Sequence, residues 1–322
     1  MNLLKYVFLF CLVVVGFGVD AQRYAVASTS WNLTSTWSTS QGGVGGASVP
    51  ILSDDVYTEG FSVSIPTGAV VECNNLYVAY NVANGVNFTL GSPVLNIYGE
   101  LAAYDPTILD YAIPTTSVIK NSTNNLEINF IGSTSVEVIN PLGWGSNATL
   151  RRISTNPGIG NTVSLRDLVI TNLGSLTIKS GTLDLSGNLQ AAGASGSLTV
   201  NSGGSMLVST GSISGSGGNS TNFPTISNNG TITSSSNTTS FINGSIINLN
   251  ANSIFNVGYN GPNQTQGWWY QSTAPSSQTI DAASTVNYNS TTAQNVFAQS
   301  YGNLTLGGTS STKTVADRKS VV

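Results

Sequence analysis

Between Leu185 and Ile280 the chain carries no Lys, Arg, Asp, Glu or His. About a quarter of the residues of an ordinary soluble domain are charged, and the outer face of a surface helix needs such residues. Amphipathic helices are therefore excluded from this stretch. Ser, Thr, Asn and Gly fill it, punctuated by short apolar alternations such as Leu198-Thr199-Val200 and Ile246-Ile247-Asn248-Leu249. Alternation with period two is the mark of a half-buried strand, and Ser-Gly and Asn-Gly pairs mark tight turns. The stretch predicts short β-strands joined by polar turns.

An internal repeat narrows this further. Gly174-Ser-Leu-Thr-Ile-Lys-Ser-Gly181 and Gly196-Ser-Leu-Thr-Val-Asn-Ser-Gly203 lie 22 residues apart, from 174 to 196. Leu183-Asp184-Leu185 and Leu189 follow the first copy; Met206-Leu207-Val208 and Ile213 follow the second. A period of about 20 residues holding about three strands is one coil of a parallel β-helix, in which each coil stacks on the next. Earlier strands are expected at Leu95-Asn96-Ile97, Leu126-Glu127-Ile128, Val136-Glu137-Val138 and Val163-Ser164-Leu165. A looser repeat pairs Asn229-Gly230-Thr231-Ile232 with Asn243-Gly244-Ser245-Ile246. The expected fold is all-β: a right-handed parallel β-helix with an N-terminal cap. A β-sandwich is the alternative, and it is disfavoured because sandwich strands are not copies of one another.

The chain opens as a secretory signal peptide, with Lys5, an apolar run from Tyr6 to Val15 and a small-residue cleavage site at Val19-Asp20-Ala21. The apolar run is shorter than the roughly 20 residues of a spanning helix, so no membrane insertion is expected after cleavage. Only Cys73 is left in the mature chain, which rules out an internal disulfide there. Basic residues are few and scattered, so nucleic acid is not an expected partner. The expected division is a signal peptide over 1–21, a cap with the first strands over 22–66, β-helix coils over 67–262, and an aromatic loop with further repeat strands over 263–316. One possible coding of Asp317–Val322 matches a common sequencing-library adapter, so 317–322 is expected to be a non-native tail on a chain truncated there.

Trp31, Trp37, Val49-Pro50, Asp54-Asp55-Val56, Gly60 and Val63-Ser64-Ile65 form a block that resembles the opening of exported repeat surface proteins of the Bacteroidetes, and loosely the G8 domain. Val286, Tyr288, Gln294, Val296 and Tyr301-Gly302-Asn303-Leu304-Thr305-Leu306 resemble a repeat of the same class. The resemblance implies export of the type IX secretion kind and a repetitive surface role. It also implies that Asp54 and Asp55 sit at the turn before the first coil strand, while Trp31 and Trp37 cap the open end of the stack.

Chemistry is thinly represented. With no histidine in the chain, the commonest general base and metal ligand is missing. Asp54 and Asp55 are neighbours whose side chains point to opposite sides of an extended segment, so they read as cap and turn residues rather than a catalytic pair. Asp105 and Asp110 flank Pro106 in a solvated loop. No catalytic residues, cofactor or metal ligands are assigned. Trp268, Trp269 and Tyr270 are the candidate ligand-binding residues, because flat rings with polar edges stack on sugars. A water-ordering face would need Thr-x-Thr recurring from coil to coil, and Thr231-x-Thr233 is isolated. The expectation is a non-enzymatic scaffold or adhesin, secreted or held outside the outer membrane. Its expected partners are extracellular polysaccharide or cell-surface glycans. A carbohydrate-active β-helix enzyme fragment and a carbohydrate-binding module are the alternatives.

Overall fold

The computed structural model describes residues 21–79, 86–88, 92–105, 110–111, 119–121, 126–139, 151–166, 169–191, 196–214, 223–235, 241–242, 244–258, 275–296, 300–308 and 312–315. Residues 1–20 of the expected signal peptide, Trp268, Trp269, Tyr270 and the tail 317–322 lie outside them.

The described chain is a parallel β-solenoid with a single 3₁₀ turn, Thr34–Thr36, as its helical element. One long sheet climbs through Asp55–Tyr57, Leu76–Ala79, Leu101–Asp105, Val136–Ile139, Thr162–Arg166, Gly181–Leu185, Gly204–Val208, Thr231–Ser234, Ile254–Val257, Thr285–Tyr288 and Asn303–Leu306. A second climbs beside it, from Val70–Cys73 through Ser197–Val200 and Phe223–Asn228 to Ser277–Ile280. A third face holds shorter strands, among them Val63–Ile65, Val86–Phe88, Asn188–Ala191, Ser212–Ser214 and Gln294–Val296. Parallel pairing between strands distant in sequence rules out the sandwich, whose sheets are antiparallel.

The 22-residue repeat occupies adjacent rungs in register. Leu176 pairs with Leu198 and Ile178 with Val200 on the second sheet; Leu183 pairs with Met206 and Leu185 with Val208 on the first. The looser repeat does not stack. Thr231–Ser234 belongs to the first sheet and Gly244–Leu249 to the second. Its two copies share a strand, not a position in the coil. The strand Val169–Ile178 exceeds the expected length because it turns a corner: Val169 and Ile170 pair with Asn188–Ala191, while Ser175 to Ile178 pair with Ser197–Val200. Asp105 and Asp110 are register partners in a short antiparallel pair, not loop residues.

Side chains at alternate positions form continuous inward columns. On the second sheet Leu95, Ile128, Ile153, Leu176, Leu198, Ile226 and Ile247 succeed one another, all buried. Each such side chain contributes about 1.5–3 kcal/mol relative to exposure. Cys73 lies in the neighbouring inward column and is fully buried, as a small apolar residue. At one corner Asn228 is also fully buried; it donates to Ile254 O at 2.9 Å and accepts from Gly230 N at 3.0 Å. Tight corners need glycine. A Cβ on Gly211 would stand 1.5 Å from the carbonyl oxygen of Gly187 one rung away.

In-register stacking also accounts for the scarcity of charge. Like charges one rung apart, about 4.8 Å, repel by roughly 1 kcal/mol or more. In the parallel ladders other groups separate the acids, whereas Asp105 and Asp110 stand opposite each other in their antiparallel pair. Asp55 and Glu100 stand in one outward column with Asn75 between them, and Asn75 Nδ2 donates to Asp55 Oδ1 at 2.8 Å while its Oδ1 accepts from Glu100 N at 2.6 Å. Glu127 stands in register with Arg152 on one side and Val94 on the other. Uncharged amides do the opposite of repelling: Asn287 donates to Asn256 at 2.8 Å, and Asn256 donates to Thr233 at 2.9 Å.

Candidate functional site

A cluster of ionisable and aromatic side chains stands at the N-terminal end of the first sheet. A sheet edge there would expose unpaired backbone groups. Gln22–Ala25 covers it by pairing parallel to Asp55–Tyr57, and Trp37–Ser38 pairs antiparallel to Gln22–Ala25. Beside it, the third face is met by Ser30, which bridges to Ser64, and by Trp31 N, which donates to Ser64 O at 2.8 Å. Trp31 and Trp37 are fully buried and meet edge to face with ring centres 5.1 Å apart. Trp37 Nε1 donates to Trp31 O at 2.7 Å.

Asp54 and Asp55 part company as extended neighbours do. Asp54 is buried in the turn that precedes Asp55–Tyr57; its Oδ2 accepts from Ile51 N at 3.1 Å and lies 3.5 Å from the Arg23 guanidinium. Arg23 also donates to Ser48 Oγ at 2.9 Å and to Ser48 O at 3.2 Å, so one cation ties the first strand to the loop before the turn. Asp55 faces outward. Its Oδ1 accepts from Asn74 Nδ2 at 3.0 Å, Asn75 Nδ2 at 2.8 Å and Asn75 N at 3.3 Å.

Next to Asp55 runs a column of tyrosines, one per rung. Tyr24 pairs with Tyr57, and Tyr57 with Tyr77. Their half-buried rings are stacked, with centres 4.9 and 4.8 Å apart and planes 17° and 20° from parallel. The spacing is the rung spacing itself, so ring stacking comes without distorting the ladder. Tyr104 closes the column edge-on, 5.5 Å from Tyr57 and 6.3 Å from Tyr77. Its hydroxyl donates to Glu59 Oε1 at 2.6 Å, and Gln41 Nε2 donates to Glu59 Oε2 at 2.9 Å. Tyr77 donates to Glu100 Oε2 at 3.4 Å. Glu59 holds a φ of 49°, a left-handed conformation that is costly for a residue with a Cβ and that concentrates at functional positions.

Burial, and then the negative charge of Asp55, push the Tyr57 hydroxyl up to about 12. Burial and the hydrogen bond to Glu59 raise Tyr104, and burial followed by the charges of Glu59 and Asp55 raises Tyr24. Burial likewise pushes the Cys73 thiol well up, so at neutral pH it is no thiolate nucleophile. The phenols stay neutral donors beside carboxylate acceptors. Such a face offers hydrogen bonds and aromatic edges to a hydroxyl-rich ligand. Among the described residues no three His, Cys, Asp or Glu side chains group to hold a metal ion.

Trp31, Trp37, Asp54 and Asp55 thus converge at this end, whereas Trp268, Trp269 and Tyr270 lie outside the described residues. The tyrosine column was not foreseen. Its one sequence signal is the likeness of Asp55-Val56-Tyr57 to Asn75-Leu76-Tyr77. No protein family, curated protein or solved structure matches the chain.

Proposed function

We propose that this chain is an exported, non-enzymatic surface scaffold or adhesin that touches glycans through the outward face around Tyr24, Tyr57, Tyr77, Asp55 and Glu100. In this reading 1–21 is a cleaved export signal, and the chain acts among the type IX exported repeat proteins of the Bacteroidetes that its opening resembles. The observation that carries the reading is the in-register tyrosine column flanked by carboxylates. Phenols donate and carboxylates accept, and sugar hydroxyls do both. Asp55 takes all its bonds through Oδ1, which leaves Oδ2 for a ligand's hydroxyl.

A glycan array with the full chain tests this. The wild type is expected to give polysaccharide signals that Tyr77→Ala and Glu100→Gln weaken. Signals weakened instead by Trp268→Ala and Trp269→Ala would move the contact to the aromatic loop. A blank array would end the glycan reading.

A further inference from the structure

The outward side of the second sheet carries a two-dimensional array that the linear sequence conceals. One column runs Ser175, Ser197, Thr225, Ile246, Ser277 and its neighbour runs Thr177, Thr199, Ser227, Asn248, Thr279, every step a register pair of the parallel ladder. The members of a column come from separate coils, so mixed Ser and Thr hide the pattern that Thr-x-Thr alone would reveal. From Ser175 to Thr279 no register shift interrupts the pairing of these strands.

The array has the dimensions of a lattice. Rungs are about 4.8 Å apart and alternate residues along a strand about 6.7 Å apart. Both distances are close to repeats of the oxygen lattice on prism faces of ice. Among the described residues, Ser175, Thr177, Ser197, Thr199 and Thr225 form no hydrogen bond or other polar contact through their side chains. Charge is confined to the margins: Arg152 precedes Ser175 in its column, Lys179 lies just past the end of the strand Val169–Ile178, and Asp281 follows the last strand.

The occupant follows from what such a face lacks. A sugar must displace the water on these hydroxyls, and a hydrogen bond exchanged for one with water nets only about 0.5–1.5 kcal/mol. Without aromatic rings or charges on the array, nothing adds to that small gain. Ice displaces no hydration water; it incorporates it. Hydroxyls repeated at rung spacing anchor such water, and Thr177, Thr199, Thr225, Ile246 and Thr279 add methyl groups to the same face. We propose that this face of the second sheet binds the surface of ice crystals. The proposal is independent of the glycan reading, which concerns the other sheet.

The test is ice recrystallisation inhibition and thermal hysteresis with the full chain, beside Thr199→Lys at the middle of the array and Thr233→Lys on the outward side of the first sheet. Circular dichroism checks that each variant is folded. The wild type and Thr233→Lys are expected to inhibit recrystallisation, and Thr199→Lys to lose the effect. Should Thr199→Lys fail to fold, Thr279→Lys at the exposed end of the array makes the same comparison. A wild type without ice activity, or a folded array variant as active as the wild type, overturns the proposal.

Discussion

The rungs at the N-terminal end and those from Ser175 to Val257 share one inward plan and differ in most of what faces out. Both bury alternate aliphatic side chains in unbroken columns. At the N-terminal end the outward columns hold tyrosines, acids and amides that bond to one another across rungs. Farther along they hold Ser, Thr and Asn without a single charge from Leu185 to Ile280. The interior of a solenoid therefore leaves its exterior free to vary, within one restriction: whatever stands outward is repeated at rung spacing. Rings and amides gain from that repetition. Like charges lose by it.

The largest effect expected from breaking this contrast is at the cap. Trp37→Ala empties a fully buried site at the covered edge and should cost about 3–5 kcal/mol, measured by chemical denaturation. A cost below that of an ordinary surface substitution would mean that the cap is not what holds the N-terminal rungs. Next comes Arg23→Ala, which strands the buried Asp54 carboxylate and should cost about 3 kcal/mol. Asp54→Asn in the Arg23→Ala background should recover part of it.

A smaller effect tests the restriction on charge directly. Thr177→Asp and Thr199→Asp, register partners on the uncharged array, should each be mild. Together they should show an unfavourable coupling of about 1 kcal/mol that salt reduces. Additivity in low salt would remove electrostatic repulsion as the reason for the charge-free stretch.

The subtlest difference is in alkali. Tyr57 titrates near 10.0 when unfolded and near 12 when folded, so its contribution is whole below pH 10 and is lost as pH rises from there through 12. Denaturation midpoints should fall over that window, and Tyr57→Phe should flatten the fall. An unchanged slope in Tyr57→Phe would show that its burial does not govern the alkaline loss.

What could be read from the bare sequence follows the same division. The stacking of Ser175–Ile178 on Ser197–Val200 was legible because the strand is copied at its own pairing offset, Leu176 to Leu198, before the next corner adds a residue and Leu183 meets Met206. The third face was legible in the same two coils, where Leu189 and Ile213 mark it and pair, but not farther on, since strands as short as Phe241–Ile242 show no alternation. The likeness of Gly230 and Gly244 carries no information on stacking, because turn chemistry is local while a strand's sheet depends on the whole coil length. The tyrosine column escaped for a related reason. Tyr24 reaches Tyr57 through the cap loop and Tyr57 reaches Tyr77 around a full coil, and unequal paths leave no fixed period. Asp54 and Asp55 were legible as opposite-facing neighbours, since extended geometry alone decides that. Arg23 as the partner of Asp54 was not, because that contact is made by the fold.

Register from rung to rung also makes the coil a unit of growth. Duplicating a segment such as 181–203 would lengthen the body by about 4.8 Å and leave its girth unaltered, while extending a corner would widen it without adding length. Reach and surface area can thus be inherited separately. A lineage can draw out such a rod one copying event at a time, each new coil shielded by its parent.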